Sequence, residues 1–138
     1  MLEKMLYMNG AWVPCASGDF IEVENPATNE ILAKVPRGGQ ADVNQAVAAA
    51  KAAFQSWQFS PLSTRITLME KVLQYLKEHY QELIDTVTAE LGSPRKISQT
   101  LHIDPNLEEM EAFIELAKNF PYEQNRPNFV VRHEPVGI

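Results

Sequence analysis

Nucleophilic or metal chemistry in this chain would have to start from one thiol, Cys15, and three imidazoles, His79, His102 and His133. Cys15 lies in the turn Val13-Pro14-Cys15-Ala16-Ser17, with no His or Arg close to it in sequence. A reactive cysteine needs a base, a cation or a helix N-terminus to hold its thiolate, so an ordinary loop cysteine is predicted. The histidines show neither i,i+4 pairing nor a Cys-x-x-Cys companion, and His102 with Asp104 is too sparse for a closed zinc site. Gly38-Gly39 ahead of a helix invites a phosphate-binding reading. The pair lacks both the G-x-G-x-x-G spacing and the lysine of a P-loop, and reads better as a flexible joint between strand and helix. Glu108, Glu109 and Glu111 offer paired carboxylates on one helix face without an acid–base partner, and read as solubilising charge.

The first forty residues read as short strands and turns. Leu6-Tyr7-Met8, Asn9-Gly10 and Ala11-Trp12-Val13 form a hairpin signal. Phe20, Ile21 and Val23 follow, and Ile31 to Val35 is a further strand ending at Pro36, so a small antiparallel meander is predicted. Beyond Gly39 the period changes. Val43, Ala46, Val47, Ala50, Ala53, Phe54 and Trp57 place one stripe on a helix from about Asp42 to Trp57, and its alanines predict a close-packed neighbour. Ser60-Pro61 reads as an N-cap with proline at the first helical position and opens a second helix. A third runs through Leu83, Ile84, Val87 and Leu91 to a terminating Gly92. Ser93-Pro94 opens a short fourth helix, and Asp104-Pro105 opens a fifth with Leu107, Met110, Ile114 and Ala117 on one face. Pro121 and Pro127 bracket a polar loop, Phe129 to Arg132 begins a last strand, and the apolar Val136-Gly137-Ile138 predicts that further apolar chain follows.

Composition limits the function classes. The 138 residues are 45% hydrophobic with a net charge of -6, a globular balance with no electrostatic reason to seek nucleic acid or an anionic membrane. A chain of this size can bury roughly 68–70% of its unfolded surface if it is self-sufficient. One cysteine rules out an internal disulfide framework and makes the cytoplasm the expected compartment. No secretory h-region and no bilayer-spanning apolar run is evident.

Five segments in register carry a resemblance. Tyr7-Met8-Asn9-Gly10 with Trp12, then Val23-Glu24-Asn25-Pro26-Ala27-Thr28, resemble the opening of the aldehyde dehydrogenase superfamily. Asp42-Val43 with Ala46-Val47, Ala50, Ala53-Phe54 and Trp57 resembles that family's first long helix, and Arg65 with Leu68 and Leu76 its second. Glu90-Leu91-Gly92-Ser93-Pro94 stands where the family has an acidic residue before a Gly-Lys-Pro turn, and Arg132-His133-Glu134-Pro135-Val136-Gly137 resembles the lead into its nucleotide-binding sheet. Three features depart from the pattern. Ser93 replaces the usual lysine, expected as a surface change; the loop Tyr122 to Asn128 is short; and Asp104-Pro105 is expected to break a helix that the family runs more continuously.

The resemblance implies an α/β fold with a Rossmann-type cofactor domain. Within it, this chain alone is α+β: a short N-terminal antiparallel meander, about five helices and a C-terminal strand. It implies one unit, 1–138, forming the N-terminal part of the cofactor-binding domain: a strand meander over 1–37, helices over 41–120, and a strand over 129–138 leading towards the nucleotide-binding sheet. The implied reaction is NAD- or NADP-dependent oxidation of an aldehyde to a carboxylic acid. A cysteine thiolate attacks the carbonyl, hydride passes to the nicotinamide, and a glutamate activates water against the thioester. The catalytic Cys, Glu and Asn and the glycine-bearing cofactor segment lie, in the family, beyond position 138, so no catalytic or cofactor-binding residue carries over and the isolated chain is expected to be inactive and to bind dinucleotide weakly. The complete enzyme is expected as a homo-oligomer. Glu90 and the backbone carbonyl of Val23 match positions that hold a monovalent cation in several members, the alternative for Glu90 being a surface carboxylate at a helix end. Set against the enzyme-fragment reading is a self-contained, non-catalytic helical scaffold that binds a protein partner. A third reading has the chain self-associate through the strand Phe129 to Val131, for which no partner strand is evident.

Overall fold

The computed structural model describes residues 2–138. Strand β2 (Leu6–Met8) and strand β3 (Ala11–Val13) form the expected hairpin, with Tyr7 opposite Trp12. Asn9 (φ 51°) and Gly10 (φ 79°) both occupy the left-handed region, the two-residue geometry that matches strand twist. Strand β4 (Phe20–Glu24) pairs antiparallel with β5 (Ile31–Pro36), and the cross-strand pair Glu22–Lys34 adds an exposed ion pair at 3.5 Å. The single meander predicted from sequence is instead two separate ladders. The β2–β3 hairpin stands alone, and a short strand β1 (Leu2–Glu3) adds in parallel to β5, giving the order β1-β5-β4. Two residues are too few to carry an alternating pattern, so β1 leaves no signal in the sequence.

Helix α1 (Gln40–Trp57) is followed by α2 (Leu62–Glu78) and α3 (Tyr80–Leu91), which meet at His79. The prolines after Ser60 and Ser93 themselves take the N-cap positions, in extended backbone, and neither serine side chain bonds a helix N–H. Ser93 is not a surface residue: it is half-buried, and its Oγ lies 2.6 Å from that of the fully buried Ser98.

The predicted break at Asp104-Pro105 does not occur. Helix α4 (Arg95–Ile97), a π-helical turn (Ser98–Ile103) and α5 (Asp104–Asn119) run on as one helical rod, so the described residues form four helices rather than about five. Proline lacks an N–H and its ring collides with the carbonyl four residues back in a regular α-helix. The π turn relieves both demands by widening the spiral one turn earlier: the Asp104 N–H donates to Gln99 five residues back, and the Asn106 side chain donates to the His102 carbonyl at 2.6 Å.

The segment expected as a polar loop is a strand, β6 (Glu123–Arg126), antiparallel to β7 (Phe129–Arg132). Phe129 to Val131 therefore has a partner within the chain, contrary to the expectation behind self-association, and the last strand ends at Arg132 rather than running to 138. The alternating side chains of β6 are polar on both faces, which is why hydropathy hides it.

The interior is small. Met8, Cys15, Leu73, Ile84, Ile103 and Ile114 are the buried apolar residues among those described, and the main helix packing is α2 against α5, with α3 closing on the π turn. The alanine stripe of α1 is not covered: Val43, Val47 and Trp57 remain exposed. The accessible surface is 10162 Å², against roughly 7,250 Å² expected from the scaling for a compact monomer of this mass. No described helix is long and apolar enough to cross a membrane.

Gly92 ends α3 in the left-handed region (φ 62°), and a Cβ there would meet the Ala27 nitrogen at 2.8 Å and Pro26 Cγ at 2.9 Å. Gly10 has a similar φ but open space around it. Gly10→Ala is expected to cost only the left-handed penalty, about 1–2 kcal/mol. Gly92→Ala should cost distinctly more, because backbone must move as well. Urea denaturation of the two variants separates strain from collision; equal losses would mean that the α3 end does not press on the Pro26 turn.

Candidate functional site

The residues proposed for cation binding sit on converging segments. Val23 is half-buried in β4, opposite Ala33, where the register slips between Val23 and Glu24. Three residues on, Pro26-Ala27 is the surface against which Gly92 packs, and Gly92 follows Glu90 by two. The turn that brings the chain there is braced from within: the Asn25 side chain accepts from the Ala27 N–H at 2.9 Å, and the Asn25 carbonyl from the Asn29 N–H at 2.8 Å. Glu90 itself is exposed. Among the described residues no group of three or more His, Cys, Asp or Glu comes together as a metal site. One carboxylate and a carbonyl form a different donor set, all hard oxygen, suited to a cation that keeps water ligands.

The remaining candidates are distributed. Cys15 is buried, and its thiol donates to the Asp19 carbonyl at 3.1 Å, with Ser17 Oγ 3.8 Å away. His79 stacks on Tyr75, with Nδ1 2.8 Å from the Tyr75 carbonyl. His102 belongs to the π turn, and His133 lies edge-on to Phe120. Gly39 is not a loose joint: it is the N-cap of α1, and its N–H donates to Asp42 at 2.8 Å. Glu111 pairs with Lys77 across α2 and α5, so this member of the acidic cluster does more than solubilise.

Asp42 was read from sequence only as a helix start. It is buried, and its two carboxylate oxygens accept from the Gly39 and Ala16 N–H groups at 2.8 and 2.9 Å. The Gly39 bond, then the Ala16 bond, hold its pKa below the ordinary carboxylate value. The signal available in sequence was an acidic residue three positions after a cap glycine, half of a capping box; nothing there pointed to Ala16. Near the π turn the Tyr80 hydroxyl donates to Asp104, which pushes the tyrosine pKa up. A cleft of about 640 Å³ lies between α2 and α5, lined by Leu62, Arg65, Met69, Met110, Phe113 and Tyr122 among others.

Comparison with known proteins places this arrangement. The family described as the aldehyde dehydrogenase family matches residues 12–138. The chain belongs to the aldehyde dehydrogenase family. A Staphylococcus epidermidis protein provisionally named an aldehyde dehydrogenase is 34% identical over 132 residues, 96% of this chain and 28% of that protein. A Mycobacterium tuberculosis aldehyde dehydrogenase solved with NAD+ superimposes with a TM-score of 0.91 at 32% identity, covering 97% of this chain and 29% of that one. One from Bartonella henselae gives 0.88 at 26% identity, covering 93% and 27%. The chain thus spans less than a third of the length of these aldehyde dehydrogenases.

Asp42 sets a pH dependence. Its folded pKa is lowered, so its contribution to stability is complete above the ordinary carboxylate value and is lost as pH falls through the lower folded value. Asp42→Ala is expected to lower the denaturation midpoint at neutral pH and to shrink the gap to the wild-type chain in strong acid. A gap independent of pH would show that the carboxylate charge is not what the two N–H groups hold.

Proposed function

We propose that this chain is the N-terminal part of the cofactor-binding domain of an NAD(P)-dependent aldehyde dehydrogenase that oxidises an aldehyde to a carboxylic acid through a cysteine thioester. The observation that carries the reading is the superposition, over nearly the whole chain, on an aldehyde dehydrogenase solved with NAD+. The parts assigned are the strands of 1–37, the helices of 41–120 and the segment 129–138. The surface excess supports the same reading. Phe59 is 78% exposed, and Leu101, Phe113 and Phe129 are also open to solvent. A self-contained scaffold would cover more of them, since large apolar patches mark surfaces that meet other protein.

In this reading the dinucleotide, when bound by the complete enzyme, accepts hydride from the substrate, and the thiolate, its oxyanion donors and the activating glutamate come from outside these 138 residues. Cys15 is not the nucleophile: its thiol is buried and committed to the Asp19 carbonyl. The chain's own work is positional. Asp42 fixes the start of α1 against the loop after β3, and the α2–α5 pair presents an apolar flank. Glu90 and the Val23 carbonyl supply oxygens to a monovalent cation that ties the end of α3 to β4. The complete enzyme works as a cytoplasmic homo-oligomer.

Three outcomes are expected. The isolated chain forms no NADH from aldehyde and NAD+. Co-expressed with the portion of the Staphylococcus epidermidis relative beyond its matched 132 residues, it co-purifies as a complex, and aldehyde-dependent NADH formation appears in that complex. Turnover by the pure chain, or failure to associate, would sink the proposal. For the cation, replacing choline by potassium should raise the thermal midpoint of the complex, and Glu90→Gln should remove that increment; an increment untouched by the substitution assigns the ion elsewhere.

A further inference from the structure

Two buried polar atoms near the start of α2, Ser60 Oγ and Arg65 Nε, have no hydrogen-bond partner among the described residues. Such an atom is costly where water is excluded, and a guanidinium cannot escape by losing its proton. Arg65 also stands where two clefts meet. The larger is the apolar one between α2 and α5, about 640 Å³, with Met69, Met110 and Phe113 in its walls. The smaller, about 380 Å³, lies between Phe54 and Trp57 of α1 and the residues Pro135, Gly137 and Ile138. Glu109 lines the larger cleft, but no ion pair joins it to Arg65 among the described residues.

Resting on the reading given under Proposed function, we propose that Arg65 is an anchor for an oxygen acceptor carried by the remainder of the aldehyde dehydrogenase subunit, which closes over both clefts. Three observations select that occupant. The chain accounts for only 28% of its relative's length. It exposes far more surface than a compact monomer of its mass. The larger cleft is mostly apolar, with Arg65 as its one cation among the described residues and Glu109 and Asn106 beside the apolar side chains, a lining that suits a folded protein surface carrying a single carboxylate or carbonyl better than it suits a charged peptide. Arg65 is thus a positioning residue. It sets how the helices seat on the rest of the subunit.

The test uses the co-expressed complex and the 138-residue chain alone, with Arg65→Met and Arg65→Lys. Methionine keeps the stem and removes every donor; lysine keeps the charge and removes Nε and the fork. Both are expected to weaken association on the order of tenfold or more, as loss of a charge-assisted hydrogen bond does. Neither should lower the thermal midpoint of the chain alone, because there Nε has nothing to lose. Association falling with pH through the carboxylate range identifies the acceptor as a carboxylate; pH-independent association identifies a carbonyl. If the wild-type chain forms no complex, the functional reading itself fails. If it forms one that Arg65→Met and Arg65→Lys leave unchanged, or if Arg65→Met destabilises the chain alone by as much as it weakens association, the anchor is overturned while the functional reading stands.

Discussion

The carboxylate of Asp42 joins the start of α1 to the loop after β3, away from the main helix packing of α2 against α5. It stands in the first turn of α1, accepts from the cap residue Gly39, and accepts from Ala16 twenty-six positions earlier. Among the described residues few buried side chains lie in the strand region, Met8 and Cys15 being the apolar ones. In a chain with so little buried apolar area, a charged acceptor holding two backbone donors weighs more than it would beneath a full core, since hydrogen bonds to ionised groups are the stronger kind. The Cys15 thiol bond to the Asp19 carbonyl closes the same loop from its other end. A backbone approach plays the corresponding part at the opposite end of the strands, where Gly92 meets Pro26-Ala27 and any side chain would intrude.

The helical half is organised by a different necessity. Pro105 sits inside a rod that must stay continuous for α5 to lie along α2. The π turn reconciles the two, and the side chains around it are well used. Ile103 is buried on its inner side, Ser98 bonds Ser93, and Tyr80 of α3 donates to Asp104 where α5 begins. The irregular turn is thus the place where α3, the short α4 and α5 are fastened together. The ion pairs of Lys118 with Glu70 and Glu115, and of Lys77 with Glu111, lie on the outside of the α2–α5 seam. Each is exposed and adds little alone, but they favour one register of one helix on the other.

The elements most legible in sequence were those with long periods or special backbone. The hairpin at Asn9-Gly10 was readable because both residues tolerate positive φ, and α1 to α3 because apolar residues recur at helical spacing over several turns. The misreadings have physical causes. Asp104-Pro105 carries the local marks of a helix start, and only the packing of α5 on α2 makes the rod run through it. β6 has no apolar face to announce it. β1 depends on a neighbour in β5, with Leu2 opposite Ala33. At the candidate site, Glu90 and Val23 drew notice only through family resemblance, since one carboxylate and one carbonyl have no spacing rule. Asp42 half-announced itself as a capping residue, but its bond to Ala16 is a long-range contact that no local pattern encodes.

The alanine stripe of α1 shows that a local pattern can form its helix without finding the neighbour it predicts. Small residues at helical spacing imply that another element comes close, and the sequence predicts such a neighbour. Yet Val43, Val47 and Trp57 on that stripe are left in solvent. Stable domains are built from packed layers, and an amphipathic element must bury its stripe against one of them. Here α2, α3 and α5 find each other while α1 touches chiefly the β2 hairpin. The stripe of α1 is therefore not buried among the described residues, in a chain that spans 28% of the Staphylococcus epidermidis relative and 29% of the Mycobacterium tuberculosis enzyme.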